Sequence, residues 1–347
     1  MNPKRRSLVA EVAVALIPAA QVVAHHSPAA YDMQAQITVA GTVAEYEWGN
    51  PHVYVAVRED GGNRVWVVEA LPSTAMKQYG WSPQTLALGE PVVVTGNPGR
   101  NAARSVLYLR TLRKADAVLY DAAAVFAPSS RPAAAARASG LAGTWSTQVG
   151  PAFLQFLGNQ ASLPVTPKGA AAMAEFVDTV NPGADCVPFS APIYMLLPGF
   201  RNIEVLADVV LIRGEDAAVE RMVHLVATQA GATHAGATAS VHGHSVGRWE
   251  GAELVVDTTH FAAHRIGNGG ALPSGADKHL VERFAVTPEG GLTYSFVLED
   301  PEYLTAPVTG SSQWSYRPDV PFAATPCSTD NARRFLADQP RLETQAP

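Results

Sequence analysis

Apolar residues alternate with small or polar ones at Ile37, Val39 and Val43, and again at Val53, Val55 and Val57 beyond the breaker Asn50-Pro51. This period-two signature marks strands buried on one face. Asp60-Gly61-Gly62-Asn63 then forms a hairpin loop, and Val65 to Ala70 a third strand. Ser73 is placed to cap a short helix ending at Gly80. Two more strands follow, at Pro91 to Thr95 and Ser105 to Thr111, across the turn Gly96 to Asn101. Three strands, a helix and two strands in about 80 residues is the order of an OB-fold, so residues 25–114 are predicted to form an OB-fold-like small barrel.

Residues 115–140 are rich in alanine and broken by Pro128 and Pro132, which suits a linker. Period two returns after Gly143-Thr144-Trp145, in Glu253 to Thr258, Val281 to Thr287, Leu292 to Leu298 and Ser312 to Tyr316. Turns carrying Glu-Gly or Gly-Gly suit a meander, so residues 141–330 are predicted to form an antiparallel β-barrel or half-barrel of lipocalin-like type. The fold class is therefore all-β. Residues 331–347 lack a pattern and read as a mobile tail.

Charge and composition narrow the setting. The chain has 347 residues, 47% of them hydrophobic, and a net charge of -6, which disfavours nucleic acid as a partner. Lys4, Arg5 and Arg6 precede the apolar run Leu8 to Val23, and Val22-Val23-Ala24 offers a small-residue cleavage site. Residues 1–24 thus read as a signal peptide, with a periplasmic or secreted product and no stable membrane insertion after cleavage. Twin cysteines, Cys186 and Cys327, suit one disulfide in an oxidising compartment, or else two separate buried thiols.

Cleavage after Ala24 would make His25 the mature N-terminus, where an α-amine and an imidazole can chelate one ion. Copper(II) suits such nitrogen donors, and His26 and His52 are the further candidates. A frayed, solvated terminus is the competing reading. Pro51 stiffens the turn before His52, which then either reaches an ion at the barrel mouth or caps the strand end through a backbone hydrogen bond. Glu69 on the third strand is a possible acidic partner.

Seven histidines, His224, His234, His242, His244, His260, His264 and His279, fall in the second module. His242 and His244 are two apart and would share one face of a strand. With His260 and Asp257 they form a candidate catalytic set, and Glu250 is a nearby carboxylate. Gly236, Gly243 and Gly267 leave open that these histidines simply sit in solvated loops.

His25-His26-Ser27, Tyr31-Asp32, Glu47-Trp48, Asn50-Pro51-His52, Gly80-Trp81 and Arg100-Asn101 up to Arg104 together resemble the exported bacterial proteins of family DUF6152. The resemblance spans roughly residues 25–113 and implies export and an OB-like fold, but no established activity. The runs Gly243 to Gly251 and Leu254 to Thr258 are similar to a region that often accompanies that domain. Pro28 stands where the family pattern has an aromatic, and Ala252 where it has an acid, which weakens any inference of a shared ligand.

Two functions follow as expectations. The first is a periplasmic binding protein for a metal ion, copper or zinc, through His25, His26 and His52, or for a small apolar ligand inside the second barrel. The alternative is a metal-assisted or general acid/base hydrolase or lyase using His242, His244, Asp257 and His260.

Overall fold

The computed structural model describes residues 30–126, 136–147, 149–158, 160–176, 181–215, 219–226 and 234–334. The proposed signal peptide, His25 and His26 lie outside them.

In the first module, β1 (Ile37–Glu47) pairs with β2 (Tyr54–Glu59) and with β4 (Pro91–Pro98). β3 (Val65–Glu69) pairs antiparallel with β2 and parallel with β5 (Val106–Lys114), which closes a five-stranded barrel. The inward phase carries Val39, Val43, Val55, Val57, Val68, Val94 and Leu107, all buried. Gly41 lets β1 approach β2 closely, since a Cβ there would lie 2.1 Å from the carbonyl oxygen of Arg58. The OB-like expectation holds in both order and closure.

Two local expectations change. Ser73 does not cap the helix Ser73–Lys77 but is its first residue, and its N–H and hydroxyl both donate to Asn50 Oδ1, each at 3.0 Å. The segment read as linker begins with a sixth strand, β6 (Ala117–Asp121), added to β5 and followed by the helix Ala122–Phe126. Burial of Tyr120 against Trp81 and Tyr79 holds that strand, an apolar anchor masked by the surrounding alanines.

The second module is a closed nine-stranded barrel. Its strands are β7 (Gly143–Thr147), β8 (Gly199–Val205), β9 (Val209–Gly214), β10 (Glu220–Leu225), β11 (His244–Glu250), β12 (Glu253–Thr259), β13 (His279–Val286), β14 (Leu292–Glu299) and β15 (Val308–Tyr316). All neighbouring pairs are antiparallel except β10 and β11, which run parallel. That pair departs from a plain meander, since two parallel strands cannot be joined by a tight hairpin. Side chains fill the interior, with Trp145, Trp314, Phe284, Tyr294 and Phe156 among the most buried.

The two barrels touch. Gln78 Nε2, just past the first-module helix, donates to the carbonyls of Thr147 at 2.8 Å and Gly199 at 3.0 Å. Lys77 pairs with the buried Glu215 at 2.9 Å. Cys186 and Cys327 are disulfide-bonded across 141 residues of sequence, a closure worth about 5 kcal/mol by loop entropy alone. The segment read as a mobile tail starts inside an ordered element: Thr329–Arg333 is helical, capped by Ser328, and Asn331 is buried against the first barrel, while residues 335–347 lie outside the described residues. Among the described residues no helix is long and apolar enough to cross a membrane.

Candidate functional site

Strand register sets a diagonal row of polar residues on the outer wall of the second barrel. His224 on β10 faces Val246, so His244, two residues before Val246 on β11, lies on the same face. His244 in turn opposes Thr259, which places Asp257 diagonally next to it on β12. Asp257 opposes Val281, bringing His279 alongside on β13, and His279 directly opposes Glu299 on β14. The intervening residues Ser245, Thr258, Leu280 and Leu298 point inward and are buried. Five adjacent strands thus line up three imidazoles and two carboxylates.

Two more imidazoles complete the group. His234 comes from the crossover, and its Nδ1 lies 2.9 Å from His244 Nδ1 while its Nε2 lies 3.2 Å from Asp257 Oδ1. A carboxylate only accepts, so His234 donates from Nε2 to Asp257, which leaves its Nδ1 facing the Nδ1 of His244. His244 stacks on His224 at 5.1 Å, and His234 on His260 at 6.0 Å. His260 follows β12 with a left-handed φ of 56°.

The charges here are set by partners. His279 donates from Nε2 to Asp257 at 3.1 Å and from Nδ1 to Glu299 at 3.0 Å. Its hydrogen bond to Asp257, opposed by partial burial and helped by Glu299, raises its pKa to about 9. With both ring nitrogens donating to carboxylates, His279 is held as an imidazolium at neutral pH. Asp257 is held below the usual carboxylate range, chiefly by the His279 hydrogen bond. Partial burial, then the neighbouring imidazoles of His234, His224 and His260, lowers His244 and keeps it neutral.

His242 parts from this group. Gly243 has a φ of 69°, and a Cβ there would meet Thr259 O at 2.6 Å, so the chain turns before β11 begins and strand alternation does not reach back to residue 242. The His242 ring sits edge-on to the buried Tyr194, with its pKa lowered to about 3 by burial and then by the positive charge of Arg221. Of the four residues expected to act together, His244, Asp257 and His260 gather on the outer wall and His242 faces the interior. Glu250 is at the far end of β11, bonded to Arg248 and Arg283.

The interior holds a polar group that the sequence reading missed. Arg221 makes a two-pronged pair with Glu282, at 3.0 and 2.6 Å, and Tyr294 donates to the same carboxylate at 2.9 Å. Lys278 is buried, donating at 2.8 Å to both Ser190 Oγ and Gly267 O, with its pKa lowered to about 7 by burial. His264 is lowered to about 4 by burial and then by Lys278. One signal was present in the sequence: Arg221 and Glu282 share strand phase with the apolar residues Val219 and Val223 and Leu280 and Phe284.

In the first barrel, His52 is buried rather than open at a mouth. Its Nδ1 lies 3.1 Å from Ala70 O and 3.3 Å from Glu69 Oε1, and Tyr31 donates to Glu69 Oε2 at 2.8 Å. Glu69 is therefore an internal partner, not a surface carboxylate.

Among the described residues no three His, Cys, Asp or Glu side chains already converge as a bound metal ion requires. What the outer wall offers is a pair: two imidazole nitrogens in contact, one of them oriented by a carboxylate. The class defined is thus a double β-barrel with a histidine-lined outer wall. Residues 13–108 match the model of a family of unknown function, DUF6152, so the first barrel is DUF6152-like, and the match ends before the second. No curated protein matches the chain.

Proposed function

We propose that the protein is an exported binding protein for a divalent transition-metal ion, copper(II) ahead of zinc, taken up between His234 and His244 on the outer wall of the second barrel. The observation that carries this is the 2.9 Å separation of their Nδ1 atoms. Two nitrogens bound at about 2.0 Å stand about 2.8 Å apart at a right angle and about 3.3 Å apart in a tetrahedron. An ion would replace the proton that the two rings share, and solvent would complete its shell. Asp257 accepting from His234 Nε2 matches the carboxylate–histidine arrangement that orients metal ligands. A disulfide is consistent with an oxidising, exported setting.

This reading moves the ion from the expected His25, His26 and His52 set, of which only His52 is described and that one is enclosed. The barrel interior, where a small apolar ligand was expected, is occupied by its own side chains. For the hydrolase or lyase alternative, His242 would have to join His244, Asp257 and His260.

Calorimetric titration of the purified chain with copper(II) and with zinc tests the proposal. Binding at micromolar concentration, weakened at least tenfold by His234→Ala and by His244→Ala, is expected. Binding that survives both substitutions, or no binding at all, would overturn it.

A further inference from the structure

We infer that residues 325–334 form a latch over the His52–Glu69 pair of the first barrel, and that the Cys186–Cys327 disulfide is what holds the latch shut. This site is separate from the outer wall of the second barrel and does not depend on metal binding there.

The hold is built from amide geometry. Asn331 Oδ1 accepts from the backbone N–H of His52 at 3.2 Å, and Asn331 Nδ2 donates to the carbonyl of the same residue at 2.9 Å and to Glu47 Oε1 at 2.7 Å. One side-chain amide thus imitates the pairing that a neighbouring strand would give to His52. Tyr54 donates to Asn331 O at 3.3 Å, Asn50 Nδ2 to Thr325 O at 2.8 Å, and Ser328 N–H to Asn50 O at 2.9 Å. Arg334 pairs with Glu47 and lies over the Tyr54 ring, 4.4 Å from its centroid. With these contacts in place His52 is 1% exposed and Glu69 3%.

Three features make the hold releasable. The chain from 321 to 330 is irregular until Thr329 and mostly exposed, so little apolar burial fixes it. Cys186 has a left-handed φ of 59°, an unfavourable conformation for a residue with a Cβ. Both cysteines are partly exposed and line a cavity of about 20 Å³ at the seam of the barrels, with Asn50, Pro51, Pro72 and Tyr194. The bond thus lies at the edge of the seam rather than in either core, and a dithiol reductant is the agent proposed to open it. Its thiolate attacks one sulfur to form a mixed disulfide, and its second thiol resolves it. The reductant leaves as a disulfide, while Cys186 and Cys327 gain two electrons and two protons as free thiols.

Acylation of His52 by diethyl pyrocarbonate, followed by mass spectrometry of the intact chain's digest, reads the opening. The His52 rate is expected to rise at least tenfold on reduction, and likewise in the Cys186→Ser, Cys327→Ser double variant, with circular dichroism unchanged. Asn331→Ala should raise it with the disulfide intact, which keeps the test valid should the double variant not fold. Equal His52 rates in oxidised and reduced protein that both remain folded, or modification only when the β signal is lost, would overturn the latch.

Discussion

Inside and outside the second barrel, the same side chain is driven to opposite charge states. His242 and His264, turned inward, have pKa values lowered to about 3 and about 4, burial being the first cause in each. His279, on the outer wall, is raised to about 9 by two carboxylates that remain in contact with water. Burial without an acidic partner removes the proton, and an acidic partner at the surface retains it. A histidine count therefore says little about function until each ring's side of the wall is known.

The strongest way to break this contrast is to remove charge from the inner pair. Glu282→Gln leaves the Arg221 guanidinium buried beside a neutral amide, and loss of about 3–5 kcal/mol is expected in urea unfolding. A loss under about 1 kcal/mol would mean that water reaches the pair and that the interior is not as enclosed as its burial indicates.

A medium effect separates the two walls by pH. Between pH 6.5 and about 4 the unfolded chain binds a proton at residue 264 that the native chain excludes, so stability falls as pH falls across that window. At about 1.4 kcal/mol per pH unit the contribution reaches roughly 3 kcal/mol by pH 4. Unfolding curves of wild type and His264→Gln at pH 7 and pH 4.5 check this, with the variant expected to lose less stability on acidification. Parallel profiles for the two proteins would show that His264 does not carry the effect.

The smallest effect sharpens the outer wall. Glu299→Gln removes one of the two carboxylates on His279, so the His279 pKa is expected to drop below about 9 yet remain above 6.5, since Asp257 still accepts from it. Stability should change by less than about 1 kcal/mol, as for exposed pairs in general. An NMR titration of the imidazole reads the shift directly. No shift at all would show that Glu299 does not engage the ring in solution.

Much of the architecture was legible in the chain because period two survives wherever one strand face meets a core. Val39 to Val57 and Leu292 to Leu298 announced their strands in that way. The strand Ala117–Asp121 was hidden, since alanines on either side of Tyr120 blur the alternation. The pairing of His242 with His244 was misjudged because a left-handed glycine stands between them, and spacing arguments assume one continuous strand. His234, the ring that links His244 to Asp257, lies between β10 and β11 and outside both strands, where alternation gives no signal.

By itself the sequence determined the all-β class, the order of strands in the first barrel, and a pair of cysteines able to join. These follow from local preference and from alternation, which act over a few residues. Tertiary structure alone decided which histidines share a wall, which are neutral, and that Asn331 folds back on His52 from 279 positions away. Barrel closure and chain crossover bring those groups together, and their charge depends on water and neighbours that no stretch of sequence contains.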